Sequence, residues 1–116
     1  MPFSLKHEPI DKGYLVHPIG SADIESCEEM EAAIGKLVEQ KPALLVLDLS
    51  KLEHIPSAGL SAFIRINRAM KDSGGKLRVA AVPPPIQKLL TATKLDLLLP
   101  MFMTREEACR VESVGG

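Results

Sequence analysis

The chain has 116 residues, enough to bury a core and too few for two ordinary domains or a large active-site barrel. Hydrophobic residues make up 46% and charged residues 25%, the balance of a soluble globular protein, and 14 Lys and Arg against 15 Asp and Glu leave a formal charge of -1. That charge argues against nucleic acid or an anionic membrane as a partner, and 3% aromatic residues remove the stacking platform of a single-strand nucleic-acid binder.

The first residues, Met1 to Gly13, alternate acidic and basic groups and lack the apolar stretch of a signal peptide. No run approaches the length of a membrane span, so direct membrane insertion is not expected and cytoplasmic residence is. Cys27 and Cys109 form no Cys-x-x-Cys pair and read as free, semi-buried thiols. His7, His17 and His54 share no ligand spacing, so no metal or other cofactor is expected.

In chain order, residues 2–8 alternate Phe3 and Leu5 with polar neighbours, and 14–19 reads as the second strand of a hairpin. Pro18 cannot donate to a ladder and places an edge or bulge at the end of that strand. After the turn Gly20-Ser21-Ala22-Asp23 the period changes. Ile24, Cys27, Met30 or Glu31, Ile34, Leu37 and Val38 predict the buried stripe of a helix, with Glu25, Glu28 and Glu29 in its first turns, and Pro42 ends it. Residues 43–49 are apolar at nearly every position, as a central strand covered on both faces would be.

Residues 50–55 read as a loop. A second helix is predicted over about 57–71, with Leu60, Phe63, Ile64 and Met70 inward, Arg65, Arg68 and Lys71 outward, and a glycine stop at Gly74-Gly75. A strand over 76–82 follows, then a short helix begun by Pro83-Pro84-Pro85 with Ile86, Leu89 and Leu90 buried. A last strand near Met101 and Phe102 leads to a helix from Thr104 to Val111, capped by Thr104 with Glu107 at the box position. Met101 and Met103 are expected to pack against that helix, and 112–116 to fray. The order predicts one α/β domain over residues 1–116, ordered over about 2–111: a small mixed sheet with a parallel centre and about four helices.

No Gly-x-Ser-x-Gly, phosphate-loop, His-Glu-x-x-His or dinucleotide motif occurs, and the glutamates of the first helix lie on its solvated face, so no enzyme is expected. The informative segment, Asp48 to Leu60, leaves the most buried strand and enters a helix at Ser57. Parallel sheets bind ligands at such edges. Ser57 reads as an N-cap worth about 1 kcal/mol, or as a phosphoacceptor whose phosphate would meet the helix amides. Such a phosphate would leave the domain intact and place about two negative charges in any interface docked there.

Asp48-Leu49-Ser50, Ile55-Pro56-Ser57-Ala58-Gly59-Leu60, Gly74-Gly75-Lys76-Leu77 and Pro85-Ile86-Gln87-Lys88-Leu89-Leu90 occur in that order over nearly the whole chain. With the Gly-x-x-Asp turn at Gly20 to Asp23, they resemble the STAS domain of bacterial anti-sigma-factor antagonists. The resemblance implies a STAS fold and a cytoplasmic, non-enzymatic binding module of a partner-switching pathway that regulates transcription. It would bind an anti-sigma factor that is also a serine kinase, be inactivated by phosphorylation, and be restored by a PP2C-type phosphatase.

By that resemblance Ser57 is the acceptor, Asp23 lies beside it, and Pro56, Ala58, Gly59 and Leu60 form the contacted helix start. Arg65 and Arg68 project from the same helix as candidate contacts for acids of the partner, and His54 faces solvent. Two positions depart from the pattern. Pro56 replaces the acid before the acceptor, and Lys94 replaces the glycine of Thr-Gly-Leu-Asp in Thr93-Lys94-Leu95-Asp96, which implies altered geometry there. A self-associating scaffold or adaptor that is not phosphorylated, or a STAS accessory of a membrane transporter, stand as alternatives.

Overall fold

The computed structural model describes residues 2–110. Strands β1 (Ser4–Ile10) and β2 (Gly13–Ser21) form the expected antiparallel hairpin. Helix α1 (Ile24–Val38) buries Cys27, Met30, Ile34, Leu37 and Val38. Ile24, expected at the head of that stripe, is instead 64% exposed, at the first helical position directly after the Asp23 cap. Of the three glutamates only Glu25 is in the first turn.

Strand β3 (Leu44–Asp48) is buried at all five positions, as its composition predicts. The following segment is not a plain loop: Leu52–His54 form strand β4, parallel to the end of β2. Helix α2 (Ser57–Asp72) ends in two interlocking hydrogen bonds, Gly74 N–H to Lys71 O at 3.1 Å and Gly75 N–H to Met70 O at 2.8 Å. Gly74 takes φ +86°, which only glycine adopts without strain, so the glycine stop is a Schellman turn.

Strand β5 (Lys76–Ala80), helix α3 (Pro84–Ala92), a single 3-10 turn at Leu95–Leu97, strand β6 (Met101–Phe102) and helix α4 (Arg105–Cys109) complete the described chain. Thr104 caps α4 as expected, its hydroxyl accepting from the Glu107 N–H at 3.1 Å. Val111 and the tail to Gly116 lie outside the described residues. Leu89 is exposed rather than buried, and Met103 is 86% exposed while Met101 packs on the core. Lys94, where a glycine was the pattern, adopts the left-handed conformation itself with φ 62°, at the cost that a side chain carries there.

The sheet runs β1-β2-β3-β5-β6, with β4 attached to β2; all pairings except β1 with β2 are parallel. This is the predicted mixed sheet with a parallel centre and four helices. Pro18 lies in the gap where β2 has passed β3 and not yet met β4, beside a register shift at Gly20 and Ser21, so its missing N–H interrupts no ladder on that side. Leu45, Leu47, Val16, Leu77 and Val79 face α1, α2 and α3 in the larger core. The opposite face, Leu15, Leu44, Val46 and Ala80, forms a smaller core with Ala108 of α4.

Asp48, 2% exposed, stands at the end of β3 on this second face. Its Oδ1 accepts the Ser50 N–H at 2.9 Å and its Oδ2 meets the Arg105 Nη2 at 2.7 Å, fastening the first residue of α4 to the central strand. Burial alone would push this carboxyl up, but the Ser50 and Arg105 bonds outweigh it and hold it below the usual carboxylate range. A lowered carboxylate contributes stability that is complete above its unfolded value, about 3.9, and is lost as pH falls through the lower folded value. The Asp48→Asn variant should therefore melt well below the parent at pH 7, and the gap should narrow as pH drops toward about 3. Calorimetry across that range reads it; a constant gap would show that the ionised carboxylate adds nothing.

Candidate partner-docking site

Two short segments at the same end of the sheet build the site. The Gly20 N–H donates to Lys51 O at 2.8 Å and the Ala22 N–H to His54 O at 2.9 Å, so the turn before α1 and the approach to α2 are joined through backbone. Asp23 caps α1, its Oδ1 accepting the Ser26 N–H at 2.7 Å. The Ser26 N–H and hydroxyl hold the Asp23 carboxyl below its ordinary value, so it is a fixed negative charge at neutral pH.

Ser57 is not the cap of α2. Pro56 occupies that position in extended conformation and has no side-chain acceptor, which makes Ser57 the first helical residue with its hydroxyl free of the capping role. The Gly59 N–H reaches Pro56 O at 2.9 Å, whereas the amides of Ser57 and Ala58 have no acceptor within the helix. No acidic residue lies in this first turn, so the positive end of the α2 dipole is uncompensated and opens on solvent at an exposed serine.

Asp23, His54 and Pro56 line one shallow depression together with Ala22, Ile24 and Glu25. Asp23 thus shares a rim with Pro56, the residue before Ser57. Exposed Ile24, invisible to a periodicity that assigns it to the core, supplies the apolar part of that rim. Gly59 and Leu60 are buried and Ala58 packs on the core, so these three shape the helix start from beneath. Arg65 is not a free cation: its guanidinium grips Glu31 of α1 through two bonds of 2.7 Å, locking α1 to α2, while Arg68 remains exposed. The bond holds the Glu31 carboxyl below its ordinary value. The 34-residue separation of this pair leaves no local signal in the sequence.

Among the described residues no cluster of three His, Cys, Asp or Glu side chains could hold a metal, and no helix is long and apolar enough to cross a membrane. Cys27 and Cys109 are free thiols, raised above their ordinary values by burial first.

A model of the STAS domain matches residues 5–108. The chain belongs to the STAS domain family. BtrV of Bordetella bronchiseptica, named as an anti-sigma factor antagonist, is 25% identical over 89 residues, 77% of each chain. The crystal structure of an anti-sigma factor antagonist from Mycobacterium paratuberculosis is 27% identical and superposes with a TM-score of 0.83 over 92% of this STAS domain and 91% of that chain. The fold is also that of SpoIIAA, solved unphosphorylated (TM-score 0.78, 15% identity, 90% and 92% of the two chains) and, for the Bacillus protein, phosphorylated (0.70, 16%, 91% and 96%).

Within this STAS domain α2 sits low over its neighbours because residue 59 has no side chain. A Cβ there would overlap the Ile55 side chain and stand 3.0 Å from Cys27 Sγ. Gly59→Ala should therefore destabilise the domain by about 1–3 kcal/mol. Gly35→Ala, in the interior of α1 where a Cβ meets nothing within 4 Å, should instead stabilise by about 0.5–1 kcal/mol. Parallel urea titrations of the two variants check the sign; equal effects would mean that Gly59 is not a packing requirement.

Proposed function

We propose that this STAS domain is an anti-sigma-factor antagonist that docks through the start of α2 on an anti-sigma factor with serine-kinase activity, and that phosphorylation of Ser57 releases it. The observation that carries the reading is the exposed Ser57 hydroxyl at the first position of a helix whose leading amides are open and whose first turn holds no acid. A γ-phosphoryl group transferred from ATP to the Ser57 oxygen, with ADP leaving and the hydroxyl proton passing to the kinase, would lie against those amides and the positive dipole end. The domain would bear the phosphate without refolding. A partner seated on the Asp23 and Pro56 rim would face about two new negative charges in a desolvated contact beside the fixed charge of Asp23.

The remaining residues divide into support and contact. Gly59 and Leu60 set the height of the helix, and Arg65 with Glu31 fixes α1 against α2. Asp23, Pro56 and exposed Arg68 contact the partner. A PP2C-type phosphatase would hydrolyse the phosphoserine and restore docking, and on this reading the domain and both enzymes share the cytoplasm. A specific observation also favours an adaptor reading: Pro56 stiffens the approach to Ser57 and removes an acid a kinase could recognise.

Mass spectrometry of the Ser57 peptide from cells grown with and without stress decides between them. A condition-dependent single phosphate on Ser57 is the expected result; complete coverage with no phosphate under any condition favours the adaptor. Ser57→Asp should weaken binding to the kinase more than tenfold in fluorescence polarisation. Its melting temperature should be unchanged or raised by a few degrees, because a carboxylate at the first helical position interacts favourably with the dipole.

A further inference from the structure

Strand β1 ends the sheet on the side of the hairpin, and among the described residues it pairs with β2 alone. The direction of its hydrogen-bonding groups follows from β2. The Gly20 N–H turns away from β1 to Lys51 O at 2.8 Å, so by alternation the odd-numbered residues of β2 bond to β1. Their register partners are Ser4, Lys6, Glu8 and Ile10, whose backbone groups are thereby used. Phe3, Leu5, His7 and Pro9 turn theirs outward, and Leu5 fits this, since the residue opposite it in β2 is Pro18, which has no N–H to exchange.

Such an edge is a template for a further strand, and the residues of β1 decide which strand it suits. If β1 pairs antiparallel with itself, the two-fold axis can pass through His7, Lys6 or Leu5. An axis at His7 sets the Pro9 ring against the Leu5 carbonyl of the other copy, where a donor is needed. An axis at Lys6 places two ammonium groups directly opposite each other, which is destabilising. An axis at Leu5 meets neither obstacle. Phe3 and Leu5, half-buried and packed on the larger core, then meet His7 and Leu5 of the other copy on one face, and Lys6 meets Ser4 on the other. The Leu5 pair and both Phe3–His7 pairs each exchange two backbone hydrogen bonds, and Pro9 lies beyond the ladder.

We propose that this edge pairs with the same edge of a second copy of the chain, antiparallel and centred on Leu5, so that two sheets become one. The contact uses the same surface on both copies and closes at two. Its self-complementarity argues for a second copy over an unrelated strand: Leu5 meets its own counterpart, and no position from Phe3 to His7 opposes a like charge or lacks a donor. Because the paired strands run in opposite directions, the two Ser57 helix starts face opposite ends of the joined sheet. The pairing therefore stands whether or not Ser57 carries a phosphate.

Sedimentation velocity of the full chain from about 10 µM to about 1 mM, a span that covers weak transient contacts, should show a monomer passing to a dimer. His7→Pro removes only an outward N–H and sets a ring in the edge, so the β1 and β2 ladder keeps its bonds while dimerisation weakens about tenfold or more. Cysteine crosslinking reads the register and does not depend on that variant folding. In a Cys109→Ser background oxidised by air with copper phenanthroline, Leu5→Cys should give a disulfide dimer, its Cα atoms lying about 5.5 Å apart. Lys6→Cys and His7→Cys, with separations of about 8 and about 14 Å, should crosslink about tenfold more slowly or not at all. A monomer at every concentration overturns the proposal. So does a dimer that His7→Pro leaves unchanged, or one that crosslinks fastest at residue 6 or 7.

Discussion

Strand β3 is apolar on both faces and buried at every position, and the rest of the architecture answers that constraint. One face is covered by α1, α2 and α3; on the other, among the described residues, the one helix is the five-residue α4. So short a helix cannot hold its place by burial, since it contributes Ala108 alone among fully buried side chains. It is held at both ends by arginines instead: Arg105 on Asp48 at its start, and Arg78, stacked over Phe102, donating to Ala108 O at 3.0 Å and Arg110 O at 2.7 Å at its finish. The charge buried at the end of β3 is thus the means by which a minimal helix closes the second face.

Elements that rest on local periodicity or turn chemistry were legible in the sequence. The β1 and β2 hairpin, the stripe of α1, the double-buried β3, the Gly74 stop and the Thr104 cap follow from spacing or from single residues with one physical use. What was not legible depends on contacts between distant residues. Strand β4 exists because β2 outruns β3 and needs a partner, and the Arg65 grip on Glu31 joins two helices far apart in the chain. The solvent position of Ile24 and the burial of Asn67 follow from where the helices meet, which periodicity does not encode.

Around the candidate site, the identity of a residue is more legible than its structural duty. Ser57 stands out by its place at a strand-to-helix junction, but an N-cap residue is itself extended, and here that residue is Pro56, with Ser57 already the first residue of the helix. The proline that departs from the family pattern takes the cap position and offers no side-chain oxygen, leaving the helix amides open. Gly59 and Leu60, which the family resemblance places at the contacted helix start, are buried beneath it. Lys94 shows the converse: a residue unsuited to a left-handed turn can occupy one when the surrounding packing fixes the backbone.

The rim that carries Asp23 and Pro56 is spaced by bonds between main-chain atoms, Gly20 to Lys51 and Ala22 to His54, and none of these depends on which side chains the residues bear. A surface built this way keeps its shape while its chemistry changes. Substitutions at Ile24, Glu25 or His54 can alter what the rim accepts without disturbing the two segments that form it. In a cell holding several proteins of this fold, each could drift toward its own partner and away from its siblings' partners, so that parallel signalling lines stay insulated on one inherited backbone.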